Sequence, residues 1–418
     1  MILWLLGLLD SGVLGLSLLL LLEILAARQS SPLPVAPNPS RQARLSQARS
    51  RLAVLVPAHN EASDIAQTLE CLLPQINAGD RLVVIADNCT DCTAEVAQLA
   101  GAEVFVRENE ALRGKGYALD YGLKRLASDP PEVVVIVDAD CEVSQGSLDS
   151  LAIAVQRNGR PAQSTYLMHP PNAPTLRDEI SGFALTLKNL VRPLGMKALG
   201  WPCLLTGSGM AFPWGLLQTV DLAGNKTVDD MQLTIDFTLQ GAAPYYVPES
   251  MVQGRLMQRG AATSQRSRWE HGHLEMILTQ VPRLLWVGLT QLRRDVLILG
   301  LDLAIPPLSL FILGWLLLVG AHLGLYLVSH IVPQLFAPEL FGSELFGSEL
   351  FALELSAGLA IGLSVGLGWY KFGREVLPIQ SMGGIPQYLL WKLPIYGRFL
   401  IKPQTRWLKT ERDEDRAE

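Results

Sequence analysis

Two aspartates close a short valine-rich run: Val133-Val-Val-Ile-Val137 leads straight into Asp138-Ala-Asp140. Five apolar residues in a row, four of them valine, read as a strand buried on both faces, and such strands belong to parallel sheets in α/β domains. In an open sheet of that kind ligands bind beyond the carboxyl ends of the strands, so acids placed there face a ligand and not the core. Carboxylates at i and i+2 can share one Mg²⁺ or Mn²⁺, an ion that usually bridges to phosphate oxygens. A solvated turn after a strand looks the same, so the reading depends on the other polar groups.

Lys115 stands between Gly114 and Gly116 at the start of a helical run, where the positive helix dipole makes a lone cation awkward unless it faces an anion. Asp229 and Asp230 open another helix-like run. There the dipole keeps a carboxylate ionised, although a plain N-cap would have the same residues. Gln265, Arg268 and Trp269 share one face of a helix expected from Ser264 to Leu278. Arg268 offers a fork for phosphate oxygens and Trp269 a flat apolar surface, while an interfacial helix with an aromatic anchor would read alike. His271 and His273 do not share a helical face, and Cys89-x-x-Cys92 has no second pair, so neither predicts a metal centre.

The elements that must position these groups include membrane. The chain has 418 residues, 49% apolar and 18% charged, with a net charge of −6. That balance excludes the basic face a nucleic-acid binder needs. Five cysteines, an odd number, suit a reducing compartment. Residues 1–27 are Leu-rich, interrupted only by Asp10 and Glu23, and long enough to cross a ~30 Å hydrocarbon layer as a retained anchor. A linker follows over 28–50, and its arginines with Arg51 place the next domain in the cytoplasm. That domain is expected over 51–283. A membrane region over 284–372 would hold two spans, about 303–328 and 350–370, with Pro306-Pro307 kinking or breaking the first of them. The loop between them, with its tandem Glu-Leu-Phe-Gly-Ser (Glu339–Ser343, Glu344–Ser348), is expected outside. Residues 373–418, with Trp391, Tyr396 and Trp407 among Lys392, Arg398, Lys402 and Arg406, read as cytoplasmic interfacial helices and a charged tail. The expected setting is therefore a multi-pass protein of the cell membrane, in contact with lipid.

Between anchor and spans, strands and helices alternate: Leu52–Val56, Ile65–Leu73, Leu82–Ile85, Val104–Val106, Tyr117–Leu126 and Val133–Val137. Such alternation predicts an α/β fold with a mostly parallel, Rossmann-like sheet. Polar runs fall at strand ends, Pro57-Ala-His-Asn-Glu61 after the first and Asp87-Asn-Cys-Thr-Asp91 after the second.

Taken in order, Val56-Pro-Ala-His-Asn-Glu61, Ala86-Asp-Asn-Cys-Thr-Asp91, Gly114-Lys-Gly116, Asp138-Ala-Asp140, Thr206-Gly-Ser-Gly-Met-Ala-Phe212, Val228-Asp-Asp-Met-Gln-Leu233 and Gln265-Arg-Ser-Arg-Trp269 resemble family 2 glycosyltransferases. The membrane-bound branch, with cellulose, hyaluronan and poly-N-acetylglucosamine synthases, is the most similar. The family's usual Thr-Glu-Asp is Val228-Asp229-Asp230 here, and only three spans are evident.

The resemblance implies a GT-A type domain and a role for each matching residue. Pro57, Glu61, Asp87, Lys115 and Asp138 would bind the nucleotide sugar, with an Asx-turn cap the plainer reading of Asp87. Asp138 and Asp140 would hold Mg²⁺ or Mn²⁺. Thr206, Gly207, Asp229, Gln265, Arg268 and Trp269 would bind the acceptor, and Asp230 would be the catalytic base. The implied activity is β-linked transfer from a UDP-sugar to a saccharide acceptor in cell-surface polysaccharide synthesis, which admits polysaccharide-export partners. Transfer to a polyprenyl phosphate or other lipid-linked acceptor is the alternative, although such enzymes generally lack Gln-x-x-Arg-Trp. An inactive export scaffold would be expected to have lost one of Asp138, Asp140 or Asp230, and a sugar nucleotidyltransferase to show a Gly-rich loop after its first strand.

Overall fold

The computed structural model describes residues 2–29, 49–171, 173–224, 228–256, 259–331 and 344–401. Helix α1 (Ile2–Ala27) opens the chain. The sheet domain then alternates β1 (Leu52–Ala58), α2 (Ile65–Leu72), β2 (Arg81–Asp87), α3 (Thr93–Leu99), β3 (Glu103–Arg107), α4 (Lys115–Leu126) and β4 (Val133–Ile136). After these come β5 (Glu142–Val143), α5 (Ser147–Asn158), β6 (Ala162–His169), α6 (Leu176–Thr186), a π turn at Leu187–Val191 and α7 (Arg192–Ala198). Strand β7 (Met210–Pro213), α8 (Trp214–Leu217), α9 (Asp229–Leu239) and β8 (Tyr245–Arg255) complete the domain. Helices α10 (Arg259–Thr279), α11 (Val281–Thr290), α12 (Arg294–Ala304), α13 (Leu308–Ile331), α14 (Glu344–Gly368) and α15 (Ile385–Ile401) follow.

The strands lie in the order β3-β2-β1-β4-β7-β6-β8-β5. From β3 to β4 all pairing is parallel, with Val54 of β1 opposite Leu82 of β2 and Val135 of β4. Past β4 the sheet is mixed: β7 runs antiparallel to β4 and β6, while β8 runs parallel to β6 and antiparallel to β5. This is the expected α/β, GT-A type sheet, and its parallel half is the alternating segment expected from the sequence. Both faces are covered. Val54, Val56, Val84 and Val135 pack under α2 and α5, while Leu55, Ile85, Val134 and Ile136 pack against α4 and α9. Double-sided burial is why these strands show no polar alternation.

Among the described residues, three helices are long and apolar enough to cross a membrane, over Leu5–Ala27, Leu308–Val328 and Glu349–Gly373. The second starts later than expected. Leu303 belongs to α12 and is fully buried. Ile305 is extended at φ −68°, ψ 111°, the conformation imposed on a residue before proline, and Pro306-Pro307 separates two helices.

Other expectations change on packing grounds. Residues 30–48 of the linker lie outside the described residues, but Arg49 belongs to the domain, buried between Asp80 and Asp149 at 2.6 and 2.5 Å. Helix α15 does not spread its polar groups over an interface: Lys392 turns inward to Glu270, and the Tyr396 hydroxyl meets Ser309 Oγ at 2.6 Å. The second Glu-Leu-Phe-Gly-Ser copy opens α14 instead of lying in a loop, and the first copy and the tail from 402, with Trp407, lie outside the described residues. Helix α1 also packs against the sheet domain. Glu23 is buried against Arg192 Nε at 2.7 Å, and a Cβ at Gly195 of α7 would lie 2.0 Å from the Glu23 carbonyl oxygen.

Candidate active site

The strand order reverses at β1, which sends the loops after β1, β2 and β4 to one edge. The first two loops are sewn together. His59 Nδ1 lies 2.7 Å from the Asp87 carbonyl oxygen, and Asn60 exchanges hydrogen bonds with Thr90 at 2.8 and 3.0 Å. The Glu61 N–H donates to Thr93 Oγ1 at 2.8 Å. Asp91 accepts from the N–H groups of Ala62 and Thr93 at 3.1 and 3.0 Å. Burial opposes its charge, but the Thr93 and Ala62 bonds prevail and hold the carboxyl below its ordinary range. Asp87, at the end of β2, forms a buried 2.5 Å ion pair with Arg107 at the end of β3. Its orientation is thus fixed by a partner that none of the motifs contains.

Beyond β4, the Asp138 N–H donates to Ser208 Oγ at 3.1 Å and its carboxylate pairs with Lys115. The Lys115 ammonium also donates to the Gly207 carbonyl at 2.6 Å. Burial disfavours that cation, but Asp138 and then Asp230 more than compensate and raise its pKa. Lys115 is the first residue of α4, and Gly116 lets the helix approach closely, since a Cβ there would meet the Leu222 carbonyl oxygen at 2.2 Å.

Thr206 and Gly207 line the same cavity as Lys115 and Asp138. Gly207 and Gly209 take φ of 92° and 66°, left-handed values that glycine adopts without strain. A Cβ at Gly209 would collide with Ser164 Oγ at 1.8 Å, and one at Gly207 would stand 3.6 Å from Asp230 Oδ2. Thr206 Oγ1 is buried with no hydrogen-bond partner among the described residues.

Asp230 occupies the first turn of α9, where Oδ1 accepts the Met231 N–H at 2.9 Å. The sequence expectation was that the helix terminus keeps this carboxyl ionised. Burial is the larger influence and raises its pKa, while Lys188, the Met231 N–H and Lys115 pull it back. Lys188 lies in the π turn between α6 and α7, the kind of helical irregularity that often marks a functional site. Burial depresses its own pKa against the attraction of Asp230. No motif signals Lys188, which lines the same cavity as Asp230.

Every expected site residue from Lys115 onward lines one cavity of about 540 Å³: Lys115, Asp138, Asp140, Thr206, Gly207, Asp229, Asp230, Gln265, Arg268 and Trp269. Pro57 and Asp87, at the ends of β1 and β2, and Glu61, in the loop after β1, stand outside it. Burial lowers the pKa of Arg268, and Asp138, Asp140 and Asp230 oppose that shift, so its guanidinium lies in the field of all three acids. The neighbouring Arg266 turns away to Asp178 at 2.7 Å. His271 and His273 are buried against the carbonyls of Ile395 and Leu303 at 2.9 and 3.1 Å. The cavity continues between the spans, along Leu20 and Ile24 of α1, Leu308 and Ile312 of α13, and Val365 of α14. Asp138 and Asp140, hard oxygen donors on one turn of its wall, fit Mg²⁺ or Mn²⁺.

Parts of the chain are similar to known proteins. Uncharacterised glycosyltransferases of Mycobacterium bovis and Mycobacterium tuberculosis are 35% identical over 106 residues, 25% of this chain, which spans 44% of the length of these relatives. Among solved structures, the mannosyltransferase PcManGT from Pyrobaculum calidifontis, in complex with GDP-Man and Mn²⁺, is similar at 19% identity and a TM-score of 0.45, covering 84% of this chain and 98% of that one. Glucosyl-3-phosphoglycerate synthase from Mycobacterium tuberculosis is similar at 20% identity and a TM-score of 0.37, covering 56% and 84%. The model of glycosyl transferase family 2 matches residues 53–188, and that of glycosyl transferase family group 2 matches 133–340. From β1 through the first helices beyond the sheet domain, the chain belongs to glycosyl transferase family 2.

Proposed function

We propose that the protein is an inverting glycosyltransferase that moves a sugar from a UDP-sugar onto an acceptor hydroxyl at the cytoplasmic face of the cell membrane, forming a β-linkage in cell-surface saccharide synthesis. The observation that carries this reading is the meeting of Asp230 with Lys115, Asp138, Asp140 and Arg268 around one cavity.

Pro57 and Asp87 at the ends of β1 and β2, with Glu61 in the loop after β1, bind the nucleoside end. Lys115 and Arg268 offset the charge of the diphosphate. Asp138 and Asp140 would hold Mg²⁺ or Mn²⁺, which supplies Lewis-acid neutralisation of the leaving diphosphate. Gly207 leaves the approach to Asp230 open, and Trp269 offers a stacking surface for the acceptor. Asp230 takes the proton of the acceptor hydroxyl as its oxygen bonds to the anomeric carbon, and the bond from that carbon to the diphosphate oxygen breaks. One displacement from the face opposite the leaving group converts an α-linked donor to a β-linked product. A carboxyl whose pKa is raised by burial is a stronger base once ionised, and base catalysis of this kind is worth about 10²–10⁴-fold.

The cavity's continuation between the spans favours a second reading, in which the acceptor is lipid-linked and its chain lies along Leu20, Ile24, Ile312 and Val365. UDP release and product formation by the full-length protein, with soluble saccharides in one arm and membrane lipid extract in the other, separate these acceptors. In either arm Asp230→Asn is expected to leave UDP binding intact and lower transfer at least about 10²-fold. Near-normal turnover, or an α-linked product by NMR, removes Asp230 from the mechanism.

A further inference from the structure

A second cluster of ionisable residues lies far from the cytoplasmic cavity, inside the membrane-crossing helices. Asp10 of α1, His322 of α13 and Glu354 of α14 each contribute one potential ligand atom, and these atoms lie within 4.8 Å of one another. Each comes from a different span. Asp10 is 2% exposed and Glu354 3%. His322 Nδ1 lies 2.6 Å from Glu354 Oε1, and His322 Nε2 lies 3.7 Å from Asp10 Oδ2.

Hydrogen bonding leaves this cluster incomplete. Both carboxylate oxygens of Asp10, and Nε2 of His322, are buried without a hydrogen-bond partner among the described residues. Ionisable side chains within spans ordinarily pair fully, because hydrocarbon offers them no water. Charge points the same way. Two carboxylates with a neutral imidazole carry −2 and with an imidazolium −1, whereas a divalent cation with neutral imidazole brings the group to zero. It also gives the orphaned Asp10 oxygens a partner.

We propose that Asp10, His322 and Glu354 bind one divalent transition-metal cation, which clasps the three spans together. One imidazole with two carboxylates is a borderline donor set that suits Zn²⁺. Mg²⁺ and Ca²⁺ prefer oxygen-only sites, and Cu(I) prefers sulfur. The site is independent of Asp138 and Asp140, which lie at the end of β4 in the sheet domain, and it takes no part in the sugar transfer.

The test uses the full-length protein in detergent, incubated with Zn²⁺, freed of excess metal by gel filtration and assayed by plasma mass spectrometry. The Asp138→Asn/Asp140→Asn variant is run in parallel to remove binding at the cytoplasmic cavity. Both proteins are expected to keep about one Zn²⁺ per chain, with X-ray absorption showing N/O ligands at about 2.0–2.1 Å. His322→Gln is expected to lose the metal. His322→Cys is expected to retain it and to add a sulfur scatterer at about 2.3 Å, a gain that misfolding would not produce. Wild-type protein free of zinc, retention by His322→Gln, or a metal lost with Asp138 and Asp140 overturns the proposal.

Discussion

Asp230 shows how a single side chain is tuned by neighbours far away in sequence. Burial raises its pKa above 3.8, and Lys188 and Lys115 limit the rise. A base acts in its ionised form, so the acid limb of kcat/KM is expected above the range of an exposed carboxylate. Lys188→Met removes a positive charge that favours ionisation. The limb should then move to higher pH, with the loss of rate greatest on the acid side and smallest at alkaline pH. A pH profile of that variant superimposable on wild type would separate Lys188 from Asp230. In the same cavity, Asp140→Asn is expected to abolish UDP release, and chelation of wild type to do so reversibly. Full activity in excess chelator contradicts the role given to Asp138 and Asp140.

Among elements, the contact of α7 with α1 joins the sheet domain to the first candidate span. Gly195 packs on the backbone of Glu23, whose carboxylate meets Arg192, and Arg192 also reaches the Asp302 carbonyl at 3.1 Å. Gly195→Val has no room for its side chain. Overpacking of this kind costs about 1–3 kcal/mol, so the melting temperature in detergent should fall by roughly 2–10 °C. Gly215→Ala, where a Cβ meets nothing within 4 Å, is the control and should melt like wild type. Equal melting of the two variants would mean that α1 does not bear on the domain through this contact.

For the whole molecule, the arrangement of charge around the three spans is the proposed determinant of sidedness. Arg28 follows the first candidate span, Arg293 and Arg294 precede the second, and Arg374 follows the third, a distribution that would place the sheet domain and the carboxyl terminus together in the cytoplasm. In a background lacking the five native cysteines, a membrane-impermeant thiol reagent applied to intact cells should label a cysteine at Ser343 but not one at Glu418. The reverse pattern refutes the arrangement. In the proposed topology, a cavity that begins at Asp138 and ends between the candidate spans would face the cytoplasm at its polar end and lipid at its apolar end.

Read alone, the amino-acid order determined what is local or periodic. The strands from Leu52 to Val137 stand out because double-sided burial demands unbroken apolar runs, and the three long apolar helices because hydrocarbon tolerates little else. The polar groups at strand ends and the Gln265, Arg268, Trp269 face were legible because strand and helix geometry fix where successive side chains point. Tertiary structure decided the partners. Arg107 for Asp87, Lys188 for Asp230 and Arg192 for Glu23 are separated from them by 20, 42 and 169 positions, and no short-range pattern encodes such pairings. Charge alone misread Arg49 and Lys392 as residues facing solvent or the membrane interface, because a cation is buried only when the fold delivers a carboxylate to it, as Asp80 and Glu270 do. Asp10 looked like an interruption of an anchor for the same reason: its neighbours His322 and Glu354 lie more than three hundred positions away and meet it only when the spans pack.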